Sequence, residues 1–244
     1  MTKILEVIDL YNSFGTQVVH SGLSFTVEKP EYIALIGGSG TGKSVLLKQI
    51  IGLSKPDSGE IKIDGNTPEY TFSEIGIREN PVGVMFQQGA LFSSLSVIEN
   101  VEAPLKEHST LKAKEYRKIA KLKLGLAGFP LSSANKMPSE LSGGMLKRAA
   151  LARALALEPK LLLCDEPASG LDPINARAFD ELMLTLTKNL KITALTVTHD
   201  LTSVLNYADR VIAFAEGKIL ANGTAKELEK ISHPWLTQYL NSGK

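Results

Sequence analysis

With 244 residues, 43% of them apolar and 22% charged, the chain carries enough hydrophobic material for one large domain, which excludes a disordered or fibrous protein. Its formal charge of +1 gives no global pull towards nucleic acid, and its single cysteine, Cys164, excludes an internal disulfide framework. No stretch approaches the ~20 apolar residues of a membrane-crossing helix, and Met1–Asp9 mixes charged with apolar residues where a secretory leader would be apolar, so a chain soluble on its own is expected.

Alternating apolar residues predict strands over Ile4–Leu10 and Val18–Val27, and the apolar run Tyr32–Ile36 predicts a third. That run leads into Gly37-Gly38-Ser39-Gly40-Thr41-Gly42-Lys43-Ser44 and a helical Val45–Ile51. Strand, glycine-rich loop and helix in this order form a phosphate-binding loop. Its glycines let several N–H groups converge, the helix N-terminus adds positive potential, Lys43 reaches the β- and γ-phosphates, and Ser44 offers a hydroxyl to Mg²⁺. Ile61–Asp64 and Val82–Phe86 are two further expected strands.

From Val97 to about Ala156 the pattern turns helical, strongest over Lys112–Leu124 and interrupted by Gly125, Gly128 and Pro130. The bases Lys112, Lys114, Arg117, Lys118, Lys121 and Lys123 read as a solvated face opposite Tyr116, Ile119 and Leu122 or Lys123. Attraction to an anionic membrane surface is the other reading of that face. Leu141-Ser142-Gly143-Gly144-Met145 precedes a helix expected over Leu146–Leu155, with Ser142 placed to cap it and a glycine pair suited to an anion. A second phosphate-type site is redundant for one nucleotide unless it serves the nucleotide held by a second copy, which makes a two-fold dimer with shared sites.

The run Leu161–Cys164 reads as a buried strand of a reduced protein, with Asp165 and Glu166 at its carboxyl end, where open α/β sheets bind ligands. Asp165 suits the Mg²⁺ environment and Glu166 a general base acting on water. Ile192–Thr198 and Arg210–Phe214 complete a βαβ series, and His199 follows the first of them, within reach of a γ-phosphate. His20, His108 and His233 have no such setting and read as surface residues.

Gly37–Ser44, Gln87, Leu141–Gly144, Asp165-Glu166, Ser169-Gly170-Leu171-Asp172 and His199 together resemble, in order, the Walker A, Q-loop, signature, Walker B, D-loop and switch-histidine motifs of ABC-type ATPases. The resemblance implies an α/β fold, a P-loop NTPase of ABC type with a mixed or parallel sheet core, an antiparallel β lobe and an inserted helical lobe. Residues 1–88 and 158–244 would form the core with its β lobe, and about 89–157 the helical lobe. It implies ATP along Gly37–Val45, Ser142, Gly143 and Gly144 on the γ-phosphate of the opposite subunit, and Asp172 at the dimer seam. Gln87 would join the Mg²⁺ and water shell, and Phe14, with Tyr11 as the alternative, would stack on adenine.

A closer likeness lies in Gly38 where many relatives have proline, Gly42-Lys43-Ser44-Val45-Leu46-Leu47, Phe86–Phe92, Glu99-Asn100-Val101, Pro104-Leu105, Met145 in place of the usual signature glutamine, and Asp172-Pro173-Ile174. These resemble the ATPases of Mla/Mce-type phospholipid transporters of Gram-negative envelopes. That likeness implies a homodimer on the cytoplasmic face of the inner membrane with an integral membrane permease, a small STAS-type regulatory subunit and a periplasmic Mce-type lipid-binding subunit, and no nucleic acid. Leu91 and Phe92 would form a socket for a permease helix or pack within their own lobe. Other substrates, such as an amino acid or lipoprotein, and a soluble regulatory ATPase are the alternatives. Some Mla-type ATPases continue into a long tail that embraces the other subunit; with Tyr239–Lys244 closing this sequence, a swapped tail is not expected.

Overall fold

A computed structural model describes residues 3–79 and 82–241, so Met1, Thr2, Asn80, Pro81 and the closing Ser242–Lys244 lie outside the described residues. In chain order the elements are β1 (Lys3–Phe14), β2 (Gln17–Glu28), β3 (Tyr32–Gly37), α1 (Lys43–Ile50), β4 (Ser58–Ile63), α2 (Pro68–Thr71), α3 (Glu74–Glu79), β5 (Val82–Met85), α4 (Val97–His108) and α5 (Ala113–Leu126). There follow α6 (Gly143–Ala154), β6 (Leu161–Asp165), α7 (Pro173–Leu190), β7 (Thr193–Val197), α8 (Leu201–Tyr207), β8 (Arg210–Ala215), β9 (Lys218–Gly223), α9 (Ala225–Leu228) and α10 (Pro234–Asn241). Two compact units divide them, Met1–Ser73 with Thr193–Lys244 and Glu74–Ile192.

The first unit contains an antiparallel sheet with β1 between β2 and β4. Leu5 lies opposite Val27 and Ile63, and Val7 opposite Phe25 and Ile61, so one apolar face is buried across three strands. β1 runs four residues beyond the expected Leu10 because register shifts, one spanning the left-handed Asp9, bend it without ending the pairing. Its second sheet sets β3 between β7 and β8, parallel to both. Every residue of Tyr32–Ile36 is buried, as a strand covered on both faces requires. The strand β9 was not expected from the sequence. It is a half-exposed edge strand, returned antiparallel to β8 by Glu216 and Gly217, both left-handed, which suits a tight hairpin turn. Ala34, Ile36, Val204, Val211, Ala213, Ala221, Leu228 and Leu236 form the core of this side, with Trp235 and Tyr239 packed against it.

In the second unit β5 pairs parallel with β6, and α4, α5 and α6 pack on one another. A side chain on Gly83 of β5 would meet the Ala154 carbonyl at 2.5 Å, which explains a glycine in that strand. The helix α5 contains Gly125, where a break was expected, and ends one residue later. The Phe129 N–H then donates to Leu124 O and the Gly128 N–H to Gly125 O, both at 2.9 Å, around a left-handed Gly128. This is a glycine-terminated helix cap, so the glycine that stops the helix is Gly128. On its inner face α5 buries Ala120, Lys123 and Leu124, whereas Leu122 is exposed. The stem of Lys123 therefore covers the core and its ammonium pairs with Glu158 at 3.0 Å. The helix α6 starts at Gly143, three residues before the expected Leu146. Cys164 is fully buried in β6, as expected.

Candidate functional site

The first unit holds the glycine-rich loop between β3 and α1. Gly40 and Gly42 have φ of 77° and 92°, a left-handed backbone that glycine adopts without strain. The Lys43 ammonium arches back over the loop, donating to the carbonyls of Gly37 at 2.8 Å and Gly38 at 2.9 Å, and the Thr41 hydroxyl donates to Gly38 O at 2.9 Å. Helix α1 has no side-chain cap and no acidic residue in its first turn, so its leading N–H groups meet no carboxylate from that turn. Ser39 and Ser44 are exposed and Val45 is half-buried.

His199 leaves the sheet at the end of β7, where the Thr198 N–H donates to Leu35 of the neighbouring β3 at 3.2 Å. It is exposed, and Asp200 after it caps α8 by accepting from Thr202 and Ser203. On β1 both aromatic candidates are exposed, Phe14 by 61% and Tyr11 by 41%.

One residue here was read differently from the sequence. His20 was expected at the surface and is fully buried in β2, with Nε2 3.0 Å from the Gly42 carbonyl. The same carbonyl accepts the Leu46 N–H at 2.8 Å, the first backbone bond of α1. A side chain on Gly42 would lie 2.5 Å from both His20 Nε2 and Val19 Cγ1, so Gly42 is demanded by space as well as by backbone. Burial holds the His20 pKa below the ordinary range, opposed in part by Gly42 and Gln49, and the neutral ring donates from Nε2. Gln49 donates in turn to Asn12 at 2.7 Å, so a buried polar chain stands behind the loop. Alternation hid this, because His20 is out of phase with buried Leu23, Phe25 and Val27 of the same strand. His233 is half-buried with a buried Nδ1, and His108 is half-buried, so neither is the plain surface residue expected.

A side chain on Gly38 would lie 3.3 Å from Trp235 Nε1, which places the indole of α10 beside the loop. Its ring stacks on Tyr239 at 5.4 Å.

The second unit brings Gln87 and Glu166 together. The Gln87 amide donates to Glu166 Oε2 at 2.9 Å and to the Ser169 hydroxyl at 3.3 Å. Glu166 follows Asp165 at the end of β6 with a φ of 44°, an uncommon backbone for a side chain of its size. Behind the pair lies Lys147 of α6, a lysine only 7% exposed, whose ammonium donates to Gln87 O at 2.5 Å and Glu166 O at 3.3 Å. Burial pulls its pKa down, while Glu166, Asp165 and Cys164 oppose that shift. The same helix sends Arg153 to Ala90 O at 2.6 Å and Gly89 O at 3.0 Å. Phe92 is half-exposed, its main chain tied to the Asn100 amide on both sides, with the Arg153 guanidinium 5.9 Å from its ring centre.

Ser142 caps α6 by accepting from the Met145 N–H at 3.4 Å. A side chain on Gly143 or Gly144 would meet only Leu171, at 3.9 Å, so packing within the unit does not require glycine at either place. Asp172 caps α7, accepting from the Ile174 and Asn175 N–H groups at 3.1 Å each, and the Asn175 side chain and backbone hold its carboxyl below the ordinary range. Beside it Ile174 is 81% exposed.

Residues 20–169 match the family model described as ABC transporter. Over 242 residues the chain is 38% identical to the intermembrane phospholipid transport system ATP-binding protein MlaF of Escherichia coli (strain K12), spanning 99% of this chain and 90% of that protein. It is 39% identical over 238 residues to the probable ribonucleotide transport ATP-binding protein mkl of Mycobacterium tuberculosis (strain ATCC 25618 / H37Rv), spanning 97% of this chain and 66% of that one. A dimeric ATP-binding cassette solved in a post-hydrolysis state with ADP and Pi superposes with a TM-score of 0.80 at 29% identity, covering 90% of this chain and 98% of the other.

Proposed function

We propose, because the chain belongs to the ABC transporter family as an ATP-binding subunit, that its ATP hydrolysis drives phospholipid between the membranes of a Gram-negative envelope. The observation that carries the catalytic part is the Gln87 amide held on the Glu166 carboxylate, in a chain whose β3 ends in the Gly37–Ser44 loop.

Lys43 and the loop N–H groups take the β- and γ-phosphates, with Gly37, Gly38, Ser39, Gly40, Thr41, Gly42 and Val45 shaping the seat. Lys43 already sits over the loop on two carbonyls that a phosphate oxygen would replace. Glu166 accepts the proton of the attacking water, Gln87 orients that water, and His199 donates to the γ-phosphate. Phe14, with Tyr11 as the alternative, stacks on adenine. Ser142, Gly143 and Gly144 serve the nucleotide of a second copy, with Asp172 at the seam between copies.

Among the described residues no group of three or more His, Cys, Asp or Glu side chains is placed to hold a metal ion. Mg²⁺ is commonly held by few protein ligands together with substrate phosphates and water. Ser44, Gln87 and Asp165 are the residues that would hold it, and it would supply positive charge against the phosphate oxygens. Residues 89–157 act as the helical lobe of a core formed by 1–88 and 158–244, and Leu91 with Phe92 receives the permease helix. Among the described residues no helix is long and apolar enough to cross a membrane. In this reading the permease attaches the chain to the cytoplasmic face. A STAS-type subunit and a periplasmic Mce-type subunit complete the assembly; nucleic acid has no part in it.

The substrate is carried by likeness, since MlaF is named for phospholipid and mkl for ribonucleotide transport. Met145 and the runs Gly42–Leu47 and Phe86–Phe92 favour phospholipid. The test is to purify the chain with its native membrane partners, extract what travels with them, and measure ATP turnover in phospholipid vesicles. Bound phospholipid and turnover that depends on it are expected. Bound ribonucleotide or a turnover indifferent to lipid would overturn the substrate.

A further inference from the structure

Lys147 is a buried cation whose ammonium donates to two main-chain carbonyls, those of Gln87 and Glu166. Burying an ammonium is costly, and an apolar side chain of similar length would fill the space at less cost, so its retention calls for a reason beyond packing. The comparison within this unit is Lys123, also buried, which pairs with the Glu158 carboxylate and needs no further explanation. Lys147 instead closes a ring. Its ammonium joins Gln87 O to Glu166 O, and the Gln87 side chain joins back to Glu166 Oε2.

The same lysine lies one helical turn from the start of α6. Gly143 and Lys147 stand at i and i+4, on one face of the helix, and Ser142 is its cap. Any shift of the α6 N-terminus along its axis is therefore delivered to the backbone of both Gln87 and Glu166. Arg153, further along the helix, donates to Gly89 O and Ala90 O, so the segment from Gln87 to Ala90 is bonded to α6 at both ends.

We propose that Lys147 is a positioning residue for ATP hydrolysis: it fixes the main chain of Gln87 and Glu166 so that their side chains meet, and it ties that geometry to the helix whose start takes up the second copy's nucleotide. The inference rests on the assignment of Glu166 as general base and of Ser142–Gly144 as the site for the partner's phosphate. It adds a requirement neither assignment contains, a cation one turn behind the helix start.

The test uses the full chain with MgATP, comparing wild type, Lys147→Met, Lys147→Gln and Lys147→Arg for ATP affinity, kcat, KM and thermal midpoint. Misplacing catalytic groups by about 1 Å costs on the order of 10²-fold. Lys147→Met and Lys147→Gln should lower kcat ~10- to 100-fold with ATP affinity changed less than ~3-fold, and Lys147→Arg should recover most of the loss. In a Gln87→Ala background the Lys147→Met loss should shrink, because both lesions act through one contact. If Lys147→Met does not fold, Lys147→Gln carries the same comparison. A normal kcat in either neutral variant overturns the proposal. So does a loss shared by kcat, affinity and thermal midpoint that Lys147→Arg fails to restore, which marks a packing role. A wild-type chain that neither bound nor hydrolysed MgATP would sink the catalytic assignment itself, a result distinct from both.

Discussion

Glu166 stands in a backbone region that side chains seldom adopt, and the Gln87 amide meets its carboxylate there. Such a conformation persists only where surrounding bonds hold it, and here Lys147, Gln87 and the Ser169 N–H all donate to Glu166. Glu166→Gln keeps the shape and removes the carboxylate proposed as base, so turnover should fall ~10²-fold or more with ATP binding retained, measured as single-turnover hydrolysis against equilibrium binding. His20 carries a separate expectation. Because burial lowers its folded pKa, the unfolded chain binds the extra proton first as pH falls below the ordinary histidine value of about 6.5. Its contribution is thus fully present above that pH and declines as pH drops towards the folded value. Denaturant unfolding of wild type and His20→Leu across this window should show a smaller acid loss in the variant; equal losses would disprove it. The loop and the Asp165-Glu166 pair were legible because glycine spacing and an apolar run are local signals. His20 and Lys147 were not, since a histidine out of phase in a strand and a lysine among helical bases look solvated until tertiary neighbours are known.

Elements were read well in position and less well at their ends. The buried β3 and β6 announce themselves as unbroken apolar runs, whereas β1 continues through bulges that alternation counts as an end. α5 continues through Gly125 because one glycine costs a helix only about 1 kcal/mol, less than the packing of Ala120 and Leu124 returns. β9 was missed because an edge strand buries little and shows no alternation. One tight element contact lies at Gly83, where the Ala154 carbonyl leaves no room for a methyl and main chain cannot rotate aside. Gly83→Ala should cost ~1–3 kcal/mol by overpacking, seen as a lower denaturant midpoint at unchanged slope. By contrast Gly143→Ala meets only Leu171 at 3.9 Å and should leave folding stability nearly unaltered.

At the scale of the whole molecule, the glycine-rich loop and the Ser142–Gly144 helix start belong to different compact units of one chain. If the latter serves a second copy, each nucleotide depends on two chains. A mixed dimer of one Lys43→Ala chain and one Ser142→Arg chain would then concentrate both lesions in one composite site and leave the other intact. Binding stoichiometry should be about one ATP per mixed dimer; equal damage at both sites would refute shared sites. The chain's membership of its family was legible from the order of motifs, which no single motif provides. Its cargo was not, because the motifs that carry the family resemblance are assigned to the nucleotide and not to what is transported.

The stacked pair of Trp235 and Tyr239 has an optical consequence. Trp235 is the chain's only tryptophan, and its indole nitrogen lies against Gly38, so its emission reports on one place alone. Phosphate seated on that loop as proposed would change the polarity around the indole, and the protein would thereby bring its own fluorophore to the nucleotide, without a label.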